Sequence, residues 1–184
     1  DWRVTYDVGP TPLPNVSFTM QGAKLIGSGP GGPAYKYSQT HSSGASGSVT
    51  LSNIEYDLYT LAMPSGSSYT IAASCGPQPT FVTPSSNLVS RLYLTPASAH
   101  SLLVDVKNAS GALIPGATVR LQRSAYDATV VADQCGQTFF GSIGSGSVGA
   151  GNAYTIDVQA SGYQSYTSSE INVSGTTRLS IILN

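Results

Sequence analysis

The chain has 184 residues, enough for one large or two small domains. Charged residues make up only 9% and the formal net charge is −1. Because no run of Lys or Arg is present to neutralise phosphates or anionic lipids, this composition argues against nucleic-acid and membrane-surface binding. No apolar stretch approaches the roughly 20 residues of a membrane span. The sequence shows no signal-peptide pattern and its first residue is not Met, so we expect a processed chain or a fragment.

Short runs rich in β-branched and aromatic residues alternate with clusters of Gly, Pro, Ser and Asn along the chain. Helical periodicity is nearly absent. In chain order, the clearest predicted strands are residues 102–106, 117–121, 138–143, 154–158 and 179–183. This spacing is typical of antiparallel sandwiches rather than parallel βαβ units.

Segments of the first half recur in the same order in the second half. Pro12–Met20 matches Leu113–Leu121, Gly47–Ile54 matches Gly136–Ile143, Tyr59–Leu61 matches Tyr154–Ile156, and Arg91–Leu94 matches Arg178–Ile181. Such repetition predicts two copies of one domain rather than one large sandwich. We place the domains at residues 1–96 and 97–184. The predicted fold class is all-β, with two tandem Ig-like or prealbumin-like antiparallel β-sandwiches.

The stretch Leu103–Leu121 contains a strand, an Asn-Ala-Ser-Gly turn, an Ile-Pro-Gly-Ala step and a second strand. It resembles the carboxypeptidase regulatory-like domain, a transthyretin-like (prealbumin-like) sandwich. Gly136, Tyr154 and the Gly162–Tyr163 pair also fit that family. Copy one fits less well, with Asn15 where the family usually has Gly. The resemblance implies a non-catalytic spacer or binding module.

The whole chain is also similar to the C-terminal portion of certain bacterial prepilin-like proteins, through Asp1–Val8, Ser74–Pro79 and Cys135–Phe140. That resemblance implies a type IV pilus-like or adhesin role outside the cell, at the bacterial surface. The implied partners are further copies in a filament or other surface proteins. The rival hypothesis is a carbohydrate- or protein-binding accessory module of a secreted protein.

The sequence offers few groups for catalysis or metal binding. Its two histidines, His41 and His100, have no nearby nucleophile and carboxylate pattern, so we predict no enzyme activity and no cofactor. The acidic residues lack the spacing of a Ca²⁺ loop, so no metal site is predicted. Asp133 precedes Gly136 and is expected to bond backbone amides in a turn.

Cys75 and Cys135 are an even pair in a chain that we interpret as extracellular, which favours a disulfide. The two residues lie in different copies. Three alternatives remain open from the sequence: a clamp within the chain, a bridge between subunits, and free thiols.

Lys107, Asp157 and Asn184 form a further hypothesis. Adhesin B-type domains, which this sandwich resembles, form a Lys–Asn isopeptide bond with the help of a buried acid, and the resemblance places these three residues in those roles. The chemistry requires burial of the amine and of the acid. The competing interpretation is a solvated lysine and a frayed chain end. Tyr6 replaces the lysine in copy one, so no such bond is expected there.

Two surface features complete the predictions. Tyr37, Tyr56 and Tyr69 are the tyrosines that we suspect of stacking on glycans if they are solvent-exposed, although rim and core packing explains most of the eleven tyrosines. The N-terminal segment Asp1–Val8 either forms a strand of copy one or pairs with a neighbouring subunit's sheet edge.

Overall fold

The computed structural model describes residues 2–6, 11–76, 80–84, 87–97 and 99–184, with the backbone alone for residues 2–6. Within these ranges the chain forms strands, turns and bends and no helix, which confirms the predicted all-β class. No described segment is therefore a helix of the length and apolarity that crossing a membrane requires.

Strands run from one end of the chain to the other. Up to residue 96 they are β1 (Trp2–Tyr6), β2 (Thr11–Pro12), β3 (Ser17–Gly22), β4 (Leu25–Gly29), β5 (Gly32–Tyr35), β6 (Ser38–Ser42), β7 (Ser48–Val49), β8 (Asp57–Ala62), β9 (Tyr69–Cys75), β10 (Thr80–Val82) and β11 (Ser90–Pro96). From residue 100 onward they are β12 (His100–Asn108), β13 (Thr118–Arg123), β14 (Tyr126–Val131), β15 (Gln137–Ile143), β16 (Thr155–Gln159), β17 (Tyr166–Thr167) and β18 (Thr176–Leu183). The five runs that the sequence predicted most clearly overlap β12, β13, β15, β16 and β18.

Tertiary contacts divide the chain into two compact units. The first unit is built around Pro12–Tyr93 and the second around Leu94–Asn184. This division falls within β11, near the predicted boundary between residues 96 and 97.

The second unit consists of two sheets that enclose one hydrophobic core. One sheet has the order β15-β12-β18 and the other the order β14-β13-β16-β17. Alternate residues of most strands face the core, because side chains along a strand alternate between the two faces of its sheet; β15 departs from this at a register shift between Phe140 and Ile143. The first sheet contributes Leu102, Val104, Val106, Phe140, Ile143, Ile181 and Leu183, and the second contributes Val119, Leu121, Val130, Ile156 and Val158. This unit is a two-layer sandwich.

β12 and β18 run parallel to each other, so the prediction of purely antiparallel sandwiches was wrong at this pair. The register is unbroken from Ser101 opposite Thr176 to Asn108 opposite Leu183. Side chains alternate with a period of two in parallel and antiparallel strands alike. Alternation in the sequence therefore carried no information about the direction of β18.

The first unit also contains two larger sheets. In the first of these sheets β11 lies between β1 and β9, and the short strands β2 and β7 pair with β1. The second sheet has the order β10-β8-β3-β6. Phe18, Met20, Tyr59 and Leu61 are buried residues of the second sheet. The N-terminal strand β1 pairs within its own chain, as the first of the two sequence interpretations proposed. Residues 1, 7 and 8 of that segment, and the side chain of Tyr6, lie outside the described part of the chain.

The two units repeat one strand order. The sheet β10-β8-β3-β6 of the first unit corresponds to β17-β16-β13-β14 of the second, and β7-β1-β11 corresponds to β15-β12-β18. The register repeats as well, because Met20 lies opposite Leu61 and Leu121 lies opposite Ile156. The sequence comparison had already equated Met20 with Leu121 and Leu61 with Ile156.

Equivalent turns in the two units need a left-handed residue. Asn15 and Gly116 each follow a proline, with φ of 56° and 78°. The N–H of Asn15 donates to the carbonyl of Gly44 (2.7 Å), and that of Gly116 donates to the carbonyl of Ala132 (2.9 Å). Asn adopts this conformation more readily than most residues, which explains why it replaces Gly in copy one.

A buried glycine is also repeated. Gly47 (φ 71°) and Gly136 (φ 61°) lie against Pro12–Leu13 and Leu113–Ile114 respectively, where a Cβ would crowd the backbone. These two steps occupy matching places in the sequence repeat, so each glycine lets its strand pass close to the same turn.

We expect Gly47→Ala to cost more stability than Gly66→Ala. Both glycines have positive φ, but nothing lies within 4 Å of a Cβ at Gly66, whereas a Cβ at Gly47 clashes with Pro12 Cβ and lies 2.8 Å from the backbone nitrogen of Leu13. Urea unfolding should show a loss of roughly 1–2 kcal/mol for Gly66→Ala, from the backbone conformation alone. Gly47→Ala should lose at least about 3 kcal/mol. Equal losses would contradict the crowding described here.

Candidate functional site

An inserted hairpin distinguishes the first unit from the second. In the second unit β13 turns directly into β14 at residues 124–125, whereas β4 and β5 lie between β3 and β6 in the first unit. Residues 25–35 contain no charged side chain, and Leu25 and Ile26 are 57% and 71% exposed. Insertions on a rigid scaffold are common places for recognition, so we take this hairpin as the candidate functional site.

The base of the hairpin is fixed by ion pairs. The Nζ atoms of Lys24 and Lys36 lie 3.2 and 2.8 Å from carboxylate oxygens of Glu55. The hydrogen bond between Lys36 and Glu55, together with their opposite charges, raises the pKa of Lys36 and lowers the pKa of Glu55. The N–H of Lys36 also donates to the carbonyl of Lys24 (2.7 Å), which closes the hairpin.

Asp57 holds the strand that enters the hairpin. Its Oδ2 accepts a hydrogen bond from the N–H of Lys24 (3.0 Å), and its side chain is buried beside Gly22. A Cβ at Gly22 would overlap this carboxylate, so glycine is the residue that leaves room for it. The hairpin is thus attached at its base while its two strands remain exposed.

A shallow groove of about 370 Å³ runs beside the hairpin. It is lined by Gln21, Gly22, Ala23, Leu25, Pro33, Tyr35, Leu58 and Thr60. Leu58 pairs across the strands with Phe81, and both side chains are exposed. The groove therefore offers apolar surface together with an amide, a hydroxyl and a tyrosine ring.

The three tyrosines suspected from the sequence differ in their surroundings. Tyr56 is 54% exposed and its ring lies 3.5 Å from Lys24 Nζ, a cation–π contact that uses one face of the ring. Tyr37 is half-buried, and its hydroxyl lies 2.9 Å from His41 Nε2. Tyr69 is half-buried and lines a separate groove of about 360 Å³ with residues 13–17 and 64–68. Of the three, only Tyr56 has the exposure that stacking on a ligand requires.

The two cysteines are disulfide-bonded, and neither is free. Since the chain contains only two, the bond joins Cys75 to Cys135 within the chain, the first of the three alternatives considered. Asp133 bonds the backbone beside Cys135, as expected of a turn carboxylate: its Oδ1 accepts from the N–H of Cys135 (2.8 Å) and of Gln137 (3.1 Å).

The structure does not bring Lys107, Asp157 and Asn184 together. Lys107 follows the core residue Val106 and so faces outward from its sheet, while Asp157 lies between core residues and faces outward from the opposite sheet. Asp157 accepts hydrogen bonds from Gln122 (3.0 Å) and Thr167 (2.8 Å). Asn184 is exposed. These positions do not fit the burial of the amine and of the acid that the isopeptide hypothesis requires.

A buried acid that the sequence did not single out lies on β12. Asp105 is 3% exposed and accepts hydrogen bonds from Arg178 Nε (2.7 Å) and Gln137 Nε2 (2.8 Å). Burial raises the pKa of Asp105, but the hydrogen bonds from Arg178 and Gln137 outweigh burial and hold the pKa below its usual range. The carboxylate is thus charged in the folded unit and joins the three strands of its sheet.

No family model and no curated protein match the chain. Among solved structures, the shaft pilin SpaA from Lactobacillus rhamnosus GG is 11% identical, with 99% of this chain and 96% of that chain covered and a TM-score of 0.40. GBS52, the minor pilin of Streptococcus agalactiae, is 10% identical over 98% and 93%, with a TM-score of 0.33. A streptococcal ancillary pilin is 13% identical over 100% and 61%, with a TM-score of 0.35. Likenesses this remote decide neither the fold nor the function of this chain, and the resemblance to carboxypeptidase regulatory-like domains stays a prediction.

We expect Arg178→Gln to destabilise the fold by about 1–2 kcal/mol at neutral pH, because it leaves the buried Asp105 carboxylate without its countercharge. The folded-state pKa of Asp105 is lowered, so the network stabilises the fold above pH of about 4 and this contribution is lost as the pH falls through the folded-state value. The difference from wild type should therefore shrink in acid.

The matched control is Arg120→Gln, which breaks the pair between Arg120 and Asp127. Both of those side chains are about half exposed, so solvent screens the pair and the loss should be much smaller than for Arg178→Gln. Denaturant unfolding of both variants between neutral pH and pH of about 3 makes the comparison. A loss for Arg178→Gln that does not change with pH would contradict the role given to Asp105.

Proposed function

We propose that this chain is a non-catalytic, load-bearing structural module of an extracellular bacterial surface filament or adhesin. The observation that carries the proposal is the unbroken parallel pairing of β12 with β18. These are the first and last strands of the second unit, so the part of a pull that enters along the chain before His100 acts directly on this pair, while the part carried by the disulfide enters at Cys135.

The geometry of that pair favours resistance to shear. In a parallel pair the start of one strand and the end of the other lie at opposite ends of the ladder. Tension between the start of β12 and the end of β18 therefore slides the strands along each other. The ladder bonds, which run across the strands from Ser101 to Asn108, are then loaded together instead of opening one after another. Such an arrangement suits a subunit that transmits force.

The chemistry of the chain supports an extracellular location. A disulfide persists in oxidising surroundings and is rare in the cytosol. The Cys75–Cys135 bond closes a long loop, and such closures stabilise a fold by roughly 3–5 kcal/mol. The low content of charged residues, 9%, is in keeping with a surface solvated by hydroxyl and amide groups.

The proposal covers surface filaments and adhesins in general. Type IV pilus-like assembly, implied by the resemblance to prepilin-like proteins, is its more specific form. A hydrophobic N-terminal helix in the full-length protein would support that form.

Mass spectrometry of material sheared from the native cells tests the proposal. We expect peptides of this chain in the high-mass sheared fraction, because a filament or adhesin subunit is removed from cells by shear. Reduction should add about 2 Da to the intact chain without dividing its mass, since the disulfide is internal. Cells without the corresponding gene serve as the control. Presence of the chain only in the culture medium, as a free protein, would contradict the proposal.

A second candidate function is a glycan-binding accessory module, favoured by the exposed Tyr56 ring near the inserted hairpin. We expect that, if this function holds, Tyr56→Ala weakens saturable binding on a glycan array about tenfold, because loss of ring stacking costs roughly 1.4 kcal/mol. Tyr166→Ala, which removes an exposed tyrosine of the second unit, is the matched control. Equal binding by both variants and the wild type would exclude this site.

A further inference from the structure

The outer edge of β18 is open in the second unit, although the equivalent edge in the first unit is occupied. β18 corresponds to β11, and β9 lies beside β11 on the side away from β1. Among the described residues, no strand takes the corresponding place beside β18. The first unit thus shows what this edge accommodates, which is an extended strand.

Hydrogen bonds identify the residues that face the open edge. The N–H of Ser101 donates to the carbonyl of Gly175 (2.9 Å), so Gly175 and the alternate residues after it direct their backbone groups to β12. The intervening residues Thr176, Arg178, Ser180 and Ile182 therefore direct an N–H and a C=O outward. Asn184 follows the same alternation, and its carbonyl accepts a hydrogen bond from the N–H of Gln164 (2.8 Å), which closes that end of the edge.

This edge lacks the features that prevent strands from pairing between molecules. Edge strands are commonly protected by short length, by proline, by bulges or by lysine. β18 has eight residues in unbroken register, without proline. Its only charge, Arg178, is drawn to Asp105, and Ile182 is 55% exposed.

We propose that β18 pairs antiparallel with β18 of a second copy of this chain, about a two-fold axis at Leu179. In this register Thr176 of one copy lies opposite Ile182 of the other, and Arg178 lies opposite Ser180. All four outward-facing residues of each copy then find partners, and no two arginines lie directly opposite. Two identical open edges satisfy each other with one self-complementary surface.

The pairing joins two three-stranded sheets into one continuous six-stranded sheet, β15-β12-β18 on each side of the axis. The pairing identifies a second copy of this chain as a partner in the structural role proposed above. The use of this contact at the cell surface rests on that role. The contact itself is measurable on the isolated chain. A chain that occurs in the sheared surface fraction but does not pair through β18 would overturn this inference alone and leave the structural role intact.

Sedimentation equilibrium of the wild type and of Ser180→Pro tests the contact. We expect the wild type to show twice the monomer mass of 18.9 kDa at high concentration. Ser180→Pro should remain monomeric, because proline removes an N–H that faces the open edge and leaves the bonds to β12 in place. Ser180→Ala is the control and should dimerise as the wild type does. A monomeric wild type, or a dimer that survives Ser180→Pro, would overturn the proposal.

Cysteine cross-linking tests the register. Thr176→Cys and Ile182→Cys place thiols at two exposed positions that lie opposite each other only between different copies. We expect an oxidised dimer when the two variants are mixed and none from either variant alone, because hydrogen-bonded partners have Cα atoms roughly 5.5 Å apart, within disulfide range. Cross-linking that is equal in the mixture and in the separate variants would overturn the register proposed here.

Discussion

The second unit depends on the pairing of its first strand with its last. β12 is the central strand of its sheet, and it is buried on both faces: Leu102 and Val104 face the core, and Leu103 and Asp105 face the other way. Pairing with β18 adds Ile181 and Leu183 to the core on one face and brings Arg178 to Asp105 on the other. A single register therefore closes the hydrophobic core and supplies the countercharge of a buried acid. A shift of β18 by one residue would reverse both faces at once.

The sequence predicted the repeated parts of the fold, because they combine strong alternation with special turn residues. Pro14–Asn15 and Pro115–Gly116 mark the same turn in both units, and the left-handed φ of Asn15 and Gly116 explains why those residue types occur there. The strands β4 and β5 escaped prediction because Gly, Pro and Ser in residues 27–33 are typical of a loop. The direction of β18 could not be predicted because hydrophobic alternation is the same in parallel and antiparallel strands.

The candidate site was less predictable than the fold. Of the three suspected tyrosines Tyr56 is the exposed one, but the lysines and Glu55 that fix the hairpin are distant in sequence and follow no pattern. The isopeptide hypothesis compared positions along the strands and ignored their faces. The alternation that starts from Val106 and Ile156 is visible in the amino-acid sequence itself, and it places Lys107 and Asp157 outside the core. The order of residues along the chain identifies the strand on which a residue lies. The face of the sheet determines which other residues its side chain can contact.

The disulfide also sets how long the chain can become. Under tension, the residues between Cys75 and Cys135 lie inside a covalent loop and add nothing to the extended length, even after every strand has separated. Reduction would release that loop and lengthen the fully extended chain by about 200 Å, at roughly 3.3–3.6 Å per residue. The maximum extended length of a single molecule therefore depends on whether the two cysteine sulfur atoms are oxidised to a disulfide or reduced to thiols.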